Sequence, residues 1–123
     1  MVTDNTFATP INQHPLELGS DLVLHSATKY LCGHSDAMGG LLAGKPELVS
    51  EVYRFREING ASLQADPAYL IARGMKTLEL RIMRQNESAL RIAQFLEGHK
   101  KVRAVHYPGL ASHPGHEIGR AHV

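Results

Sequence analysis

The chain has 123 residues, 43% of them hydrophobic and 20% charged, with a formal charge of +1, which fits one ordinary domain. No stretch approaches the roughly 20 apolar residues needed to span a bilayer, no basic stripe marks a dedicated nucleic-acid binder, and Met1-Val2-Thr3-Asp4 does not read as the start of a signal peptide, so none is expected there. The one cysteine, Cys32, excludes an internal disulfide framework and suits a reducing compartment, so a cytoplasmic location is expected.

Thr3 to Phe7 reads as the end of a strand or the loop after it. Thr9 to Gly19 holds two prolines and reads as an excursion, with a helical turn at Pro15 to Leu18. Asp21 to His25 is a compact apolar run, as in a buried parallel strand. Ser26 to Asp36 is polar. Gly39 to Ala43 reads as another short strand ended by Gly44, and Pro46 to Phe55 as a helix with proline in its first turn. Arg56 to Ala65 reads as a polar loop.

The longest predicted element follows, with Asp66 as N-cap and Pro67 at the first helical position. Apolar residues recur at Ile71, Met75, Leu78, Ile82, Ala89, Ile92 and Leu96, a helical stripe. Glu87 and Arg91 form an i,i+4 pair, Gly98 suits the stop, and Gly74 is a place for a kink. Lys101 to Tyr107 alternates like a half-buried strand. Strands separated by helices predict α/β architecture with a mainly parallel sheet. In such sheets ligands bind beyond the carboxyl ends of the strands, where the residues after Phe7 and after His25 lie.

The chemistry concentrates in His25-Ser26-Ala27-Thr28-Lys29-Tyr30-Leu31-Cys32-Gly33-His34-Ser35-Asp36. A lysine just after a buried strand can form a Schiff base if its amine is partly desolvated and so keeps a neutral, nucleophilic fraction. Ser26 and Thr28 could donate hydrogen bonds to a phosphate. On spacing alone, an exposed lysine after a strand is the plainer reading, and Asp4-Asn5-Thr6 alone reads best as a turn or N-cap. Cys32, His34 and Asp36 alternate as metal ligands can, but zinc sites usually hold more soft ligands, and no metal site is expected. His113-Pro114-Gly115-His116 reads as a surface loop. Arg54 and Arg56 read as solvated, and Tyr30 and Tyr107 as packing residues.

Taken together and in order, these blocks resemble a known family. Asp4-Asn5-Thr6-Phe7-Ala8-Thr9-Pro10, Pro15-Leu16-Glu17-Leu18-Gly19-Ser20-Asp21, Ser26-Ala27-Thr28-Lys29-Tyr30 with Gly33-His34-Ser35-Asp36, Arg73-Gly74-Met75-Lys76-Thr77-Leu78 and Tyr107-Pro108-Gly109-Leu110 resemble the pyridoxal-phosphate (PLP) enzymes of trans-sulfuration. The likeness runs from about Asp4 to His116. It implies the fold-type I PLP architecture, with Lys29 carrying pyridoxal 5'-phosphate and shuttling protons. It implies that Asp4 pairs with the pyridinium nitrogen and keeps the ring an electron sink, and that Ser26 and Thr28 hold the phosphate. The implied chemistry is elimination or replacement at Cβ or Cγ of sulfur amino acids or O-acylhomoserine, of cystathionine γ-synthase or γ-lyase type. O-acylhomoserine sulfhydrylase and methionine γ-lyase are alternatives. Members usually work as homotetramers with shared active sites and small-molecule amino-acid substrates, without nucleic acid or membrane.

The resemblance also implies that the chain is an internal fragment. The family's ring-stacking tyrosine and phosphate-binding glycine turn would lie upstream of Asp4, and its substrate-carboxylate arginine downstream of Val123. Little or no activity is then expected of the chain alone. Residues 1–65 correspond to the end of the large PLP-binding domain, 66–98 to a long linking helix and 99–117 to the start of the small domain. Residues 118–123 can be read as a translated sequencing adapter. The family often has His-Glu before that point, so Glu117 is compatible with a native residue.

Overall fold

The computed structural model describes residues 1–116; the tail reading falls outside them. The chain divides into two compact units, Met1–Leu78 and a second that begins at Glu79.

The first unit holds a three-stranded sheet in the order β1 (Val2–Asp4), β2 (Leu22–Ser26), β3 (Gly40–Gly44). β1 and β2 are parallel, with Asp4 opposite Leu24, and β3 runs antiparallel to β2. The expectation of a mainly parallel sheet therefore holds for one of the two pairings among the described residues. The 20–44 stretch reverses direction because the chain folds back through the Ser26–Gly39 loop instead of crossing over with a helix. Burial along β2 alternates: Val23 and His25 are buried, Leu24 is exposed. The sheet thus has one covered and one open face.

Between β1 and β2, the excursion forms the short helix α1 (Thr9–Asn12) and then turns at 15–19. Helix α2 (Pro46–Asn59) has proline in its first turn and ends at Gly60, whose φ of 70° is left-handed and whose N–H returns to Arg56 O. It therefore runs four residues past Phe55, into the segment expected to be loop. The glycine of Asn59-Gly60, rather than the polarity after Phe55, sets the stop.

The expected single helix from Asp66 is two. Helix α3 (Ala65–Met75) starts two residues before the expected first helical position, Pro67, with Gln64 as its N-cap position. Helix α4 (Leu78–Glu97) follows. Between them, Lys76 N–H reaches Arg73 O at 3.2 Å and Thr77 N–H reaches Gly74 O at 3.3 Å. These i→i−3 bonds tighten the turn and break the α register. The buried set shifts with the break: Ile71, Leu78, Ile82 and Ala93 are buried, while Met75 and Ile92 of the expected stripe are 39% and 59% exposed.

In the second unit, Glu87 pairs with Arg84 at 2.7 Å, rather than with the expected Arg91. Leu110 is buried, and Ser112 donates to the Glu97 carboxylate. Lys101 to Tyr107 is not a strand. Val102, Val105 and Tyr107 are half-buried, but no strand among the described residues pairs with the segment, and alternation without a ladder partner does not make a strand. No described helix is long and apolar enough to cross a membrane.

Candidate active site

The parallel register of β1 and β2 decides the site's geometry. Asp4 ends β1, Ser26 ends β2, and both strands run the same way. Asp4 and the loop carrying Lys29 therefore leave the same carboxyl edge of the sheet. An open cleft of about 560 Å³ lies there, lined by Asp4, Leu24, Ser26, Leu42, Tyr53 and Arg56 among others.

Asp4 is fixed by a residue whose role the sequence did not reveal. The Thr6 side chain and its backbone N–H, 2.9 Å from Oδ1, hold the Asp4 carboxyl below its usual range, with a smaller lowering from nearby His25. The same Thr6 hydroxyl oxygen accepts Ser26 N–H at 2.7 Å. Thr6 is buried and ties the two strand ends together. The available signal was the Asp-x-Thr spacing, a common turn in which a carboxylate accepts the N–H two residues on.

Behind Asp4 the packing is dense. Asn5 is 2% exposed and donates through Nδ2 to Thr9 O at 3.1 Å and Gln13 O at 3.0 Å. That holds Thr9 at a φ of +65°, uncommon for a β-branched residue. His25 is 7% exposed, and burial lowers its pKa, opposed by Asp4. Its Nδ1 and the Asn5 Oδ1 are buried without a hydrogen-bond partner among the described residues.

The loop after β2 is a closed set of turns. Lys29 N–H reaches Ser26 O at 3.1 Å, Cys32 N–H reaches Ala27 O at 2.9 Å, and Gly33 N–H reaches Lys29 O at 2.8 Å. Thr28 Oγ1 accepts Gly39 N–H at 3.1 Å and contacts Gly39 O at 3.4 Å. The Lys29 side chain is exposed, so the described residues do not supply the desolvation that a nucleophilic lysine needs. Tyr30 packs edge-on against Phe7, ring centres 6.1 Å apart. Cys32, Asp36 and His34 are not a metal cluster: the Cys32 thiol donates to Asp36 Oδ1 at 3.0 Å, and His34 Nδ1 turns to Cys32 O at 2.7 Å. Among the described residues no group of three or more such side chains could hold a metal ion. Arg56 is exposed, as expected, and also stacks over Tyr53 at 4.5 Å on the cleft wall.

A carboxylate, a hydroxyl and a primary amine thus leave one sheet edge. The family model for the Cys/Met metabolism PLP-dependent enzymes matches residues 1–123. The chain belongs to that family. Cystathionine gamma-synthase 1, chloroplastic, of Nicotiana tabacum is 57% identical over 117 residues, 95% of this chain and 22% of the relative. Cystathionine gamma-synthase of Mycobacterium leprae is 53% identical over 120 residues, 96% of this chain and 31% of the relative. The apo structure of CalE6, a methionine gamma lyase from Micromonospora echinospora, superposes with a TM-score of 0.92 at 42% identity, covering 98% of this chain and 33% of that one. The chain therefore spans about a fifth to a third of the length of these members of the family.

Proposed function

We propose that the chain is part of a PLP-dependent trans-sulfuration enzyme of cystathionine γ-synthase or γ-lyase type, with Lys29 carrying the cofactor. One observation carries the reading: the parallel register that sends Asp4 and the Ser26–Lys29 loop out of one sheet edge beside an open cleft. When bound, PLP supplies an electron sink for the carbanion formed from an amino-acid substrate.

The donor set fits such a cofactor. Asp4, held ionised by Thr6, suits a protonated pyridine nitrogen, which needs a charged acceptor. Ser26 and Thr28 suit a phosphate. Thr28 can keep Gly39 N–H on its oxygen and turn its own proton from the long 3.4 Å contact toward a phosphate oxygen. Lys29 Nζ is the amine that takes up and returns a proton beside the substrate carbon. Its missing desolvation is assigned to parts of the longer relatives that this chain does not span.

On the same reading, residues 1–65 belong to the large cofactor domain, 66–98 to a linking helical segment and 99–117 to the start of the small domain. The assembly is a homotetramer in the cytoplasm, acting on small amino acids. The coverage of a fifth to a third of the relatives favours a second statement: the isolated chain turns over little or no substrate.

The test is to add PLP to the purified chain, reduce with borohydride and map the labelled lysine. Lys29 is expected to carry the label, and Lys29→Ala to abolish the visible absorbance band. Label spread evenly over the lysines would overturn the assignment. Rapid release of hydrogen sulfide or 2-oxo acid from cysteine or cystathionine would overturn the expected inactivity.

A further inference from the structure

We propose that Asp36, gripped by Arg73 of α3 and by the Cys32 thiol, is a positioning residue that fixes the Lys29 loop; the inference rests on Lys29 being the cofactor lysine. The loop between β2 and β3 is pinned at two places. Its base is closed by Thr28 and Gly39, through Thr28 N–H to Gly39 O at 3.3 Å and Gly39 N–H to Thr28 Oγ1 at 3.1 Å. Its far end is closed by Asp36, whose Oδ1 accepts the fully buried Cys32 thiol at 3.0 Å and whose Oδ2 lies 3.6 Å from Arg73 Nη2.

Lys29 stands between these pins, tied by its own N–H to Ser26 and by its carbonyl to Gly33. Ser35, at a left-handed φ of 56°, turns the chain so that Asp36 comes back to Cys32. Helix α3 meets the loop directly at Gly74. A Cβ there would fall 2.0 Å from the Cys32 carbonyl oxygen, so only glycine lets the two backbones approach this closely. The Cys32 hydrogen bond, and to a lesser degree His34 and Arg73, lower the Asp36 pKa, which keeps it an acceptor.

The Asp36 and Arg73 side chains are 37% and 53% exposed. An exposed pair of this kind adds little to global stability. Its consequence is local, on where the loop holds the Lys29 backbone.

The experiment uses the full chain with Asp36→Asn, Arg73→Met and Arg73→Lys. The first readout is the alkylation rate of Cys32. The second is the share of PLP trapped by borohydride on Lys29 relative to the exposed Lys76 and Lys100 of the same digest. Asp36→Asn and Arg73→Met are expected to speed alkylation several-fold and to bring Lys29 down to the level of the two reference lysines. Arg73→Lys should restore most of both, and the thermal transition should persist throughout. Selective Lys29 trapping that survives Asp36→Asn and Arg73→Met overturns the positioning role and leaves the functional reading standing. Unchanged Cys32 protection in the near-isosteric, folded Asp36→Asn chain also overturns it, even if Arg73→Met fails to fold. No preference for Lys29 in the parent chain overturns the functional reading and this inference with it.

Discussion

The two faces of the one small sheet are built to opposite ends. On the covered face, Val23 and His25 alternate into a packed interior, with buried Asn5 beside them at the end of β1. On the other face Asp4 and Leu24 open on the cleft under α2. The same backbone hydrogen bonds serve both. The proposed cofactor site lies where the open face meets the carboxyl edge, with the covered face behind it. Rigid support behind and access in front is the arrangement that a cofactor site needs.

Four measurements would break or sharpen the contrast. The largest effect is expected at the brace: Gly74→Ala drives a Cβ into the Cys32 carbonyl and should cost about 3 kcal/mol in urea unfolding, despite a better helix propensity. A neutral outcome would mean that α3 and the loop yield freely. On the covered face, Val23→Ala should cost about 2 kcal/mol through lost burial and the cavity left behind.

Next comes pH. The His25 pKa is lowered by burial, so below its ordinary value of about 6.5 the unfolded chain binds the proton more readily, and stability falls as pH drops through that value. Asp4 and Asp21 are lowered, Asp21 to about 2 by Lys45 and the N-terminal ammonium. Their contributions are complete above the usual carboxylate range and vanish as pH falls through the folded values. A stability curve flat from pH 7 to 5 that His25→Gln does not alter would contradict the His25 part. The smallest effect is expected on the open face, where Leu24→Thr should change stability by less than about 1 kcal/mol. A larger loss would show that this face is covered in solution.

Much of this was legible in order and type. The apolar Asp21–His25 run and the proline that opens α2 carry local rules that packing did not override; Gly60 carries one too, but it lay in the stretch expected to be loop. Lys29, Asp4, Ser26 and Thr28 were singled out because their blocks resemble a family's, and their roles stand as proposals. Thr6 as the tie between strand ends was not, because its partners Asp4 and Ser26 are joined only by strand pairing. The Cys32–Asp36–Arg73 link escaped for the same reason: one member lies on a helix more than thirty residues away.

By itself, then, the sequence determined element type where a residue's own backbone preference decides it, as at Pro46, and determined family membership through the joined motifs. Only tertiary structure decided the antiparallel return of β3 and the absence of a strand at Lys101–Tyr107, whereas the break before α4 is local and falls beside Gly74, where a kink was expected. Both depend on which groups meet across the chain: a neighbouring strand's direction, a ladder partner. Such contacts are set by three-dimensional proximity, which periodicity along one segment does not encode.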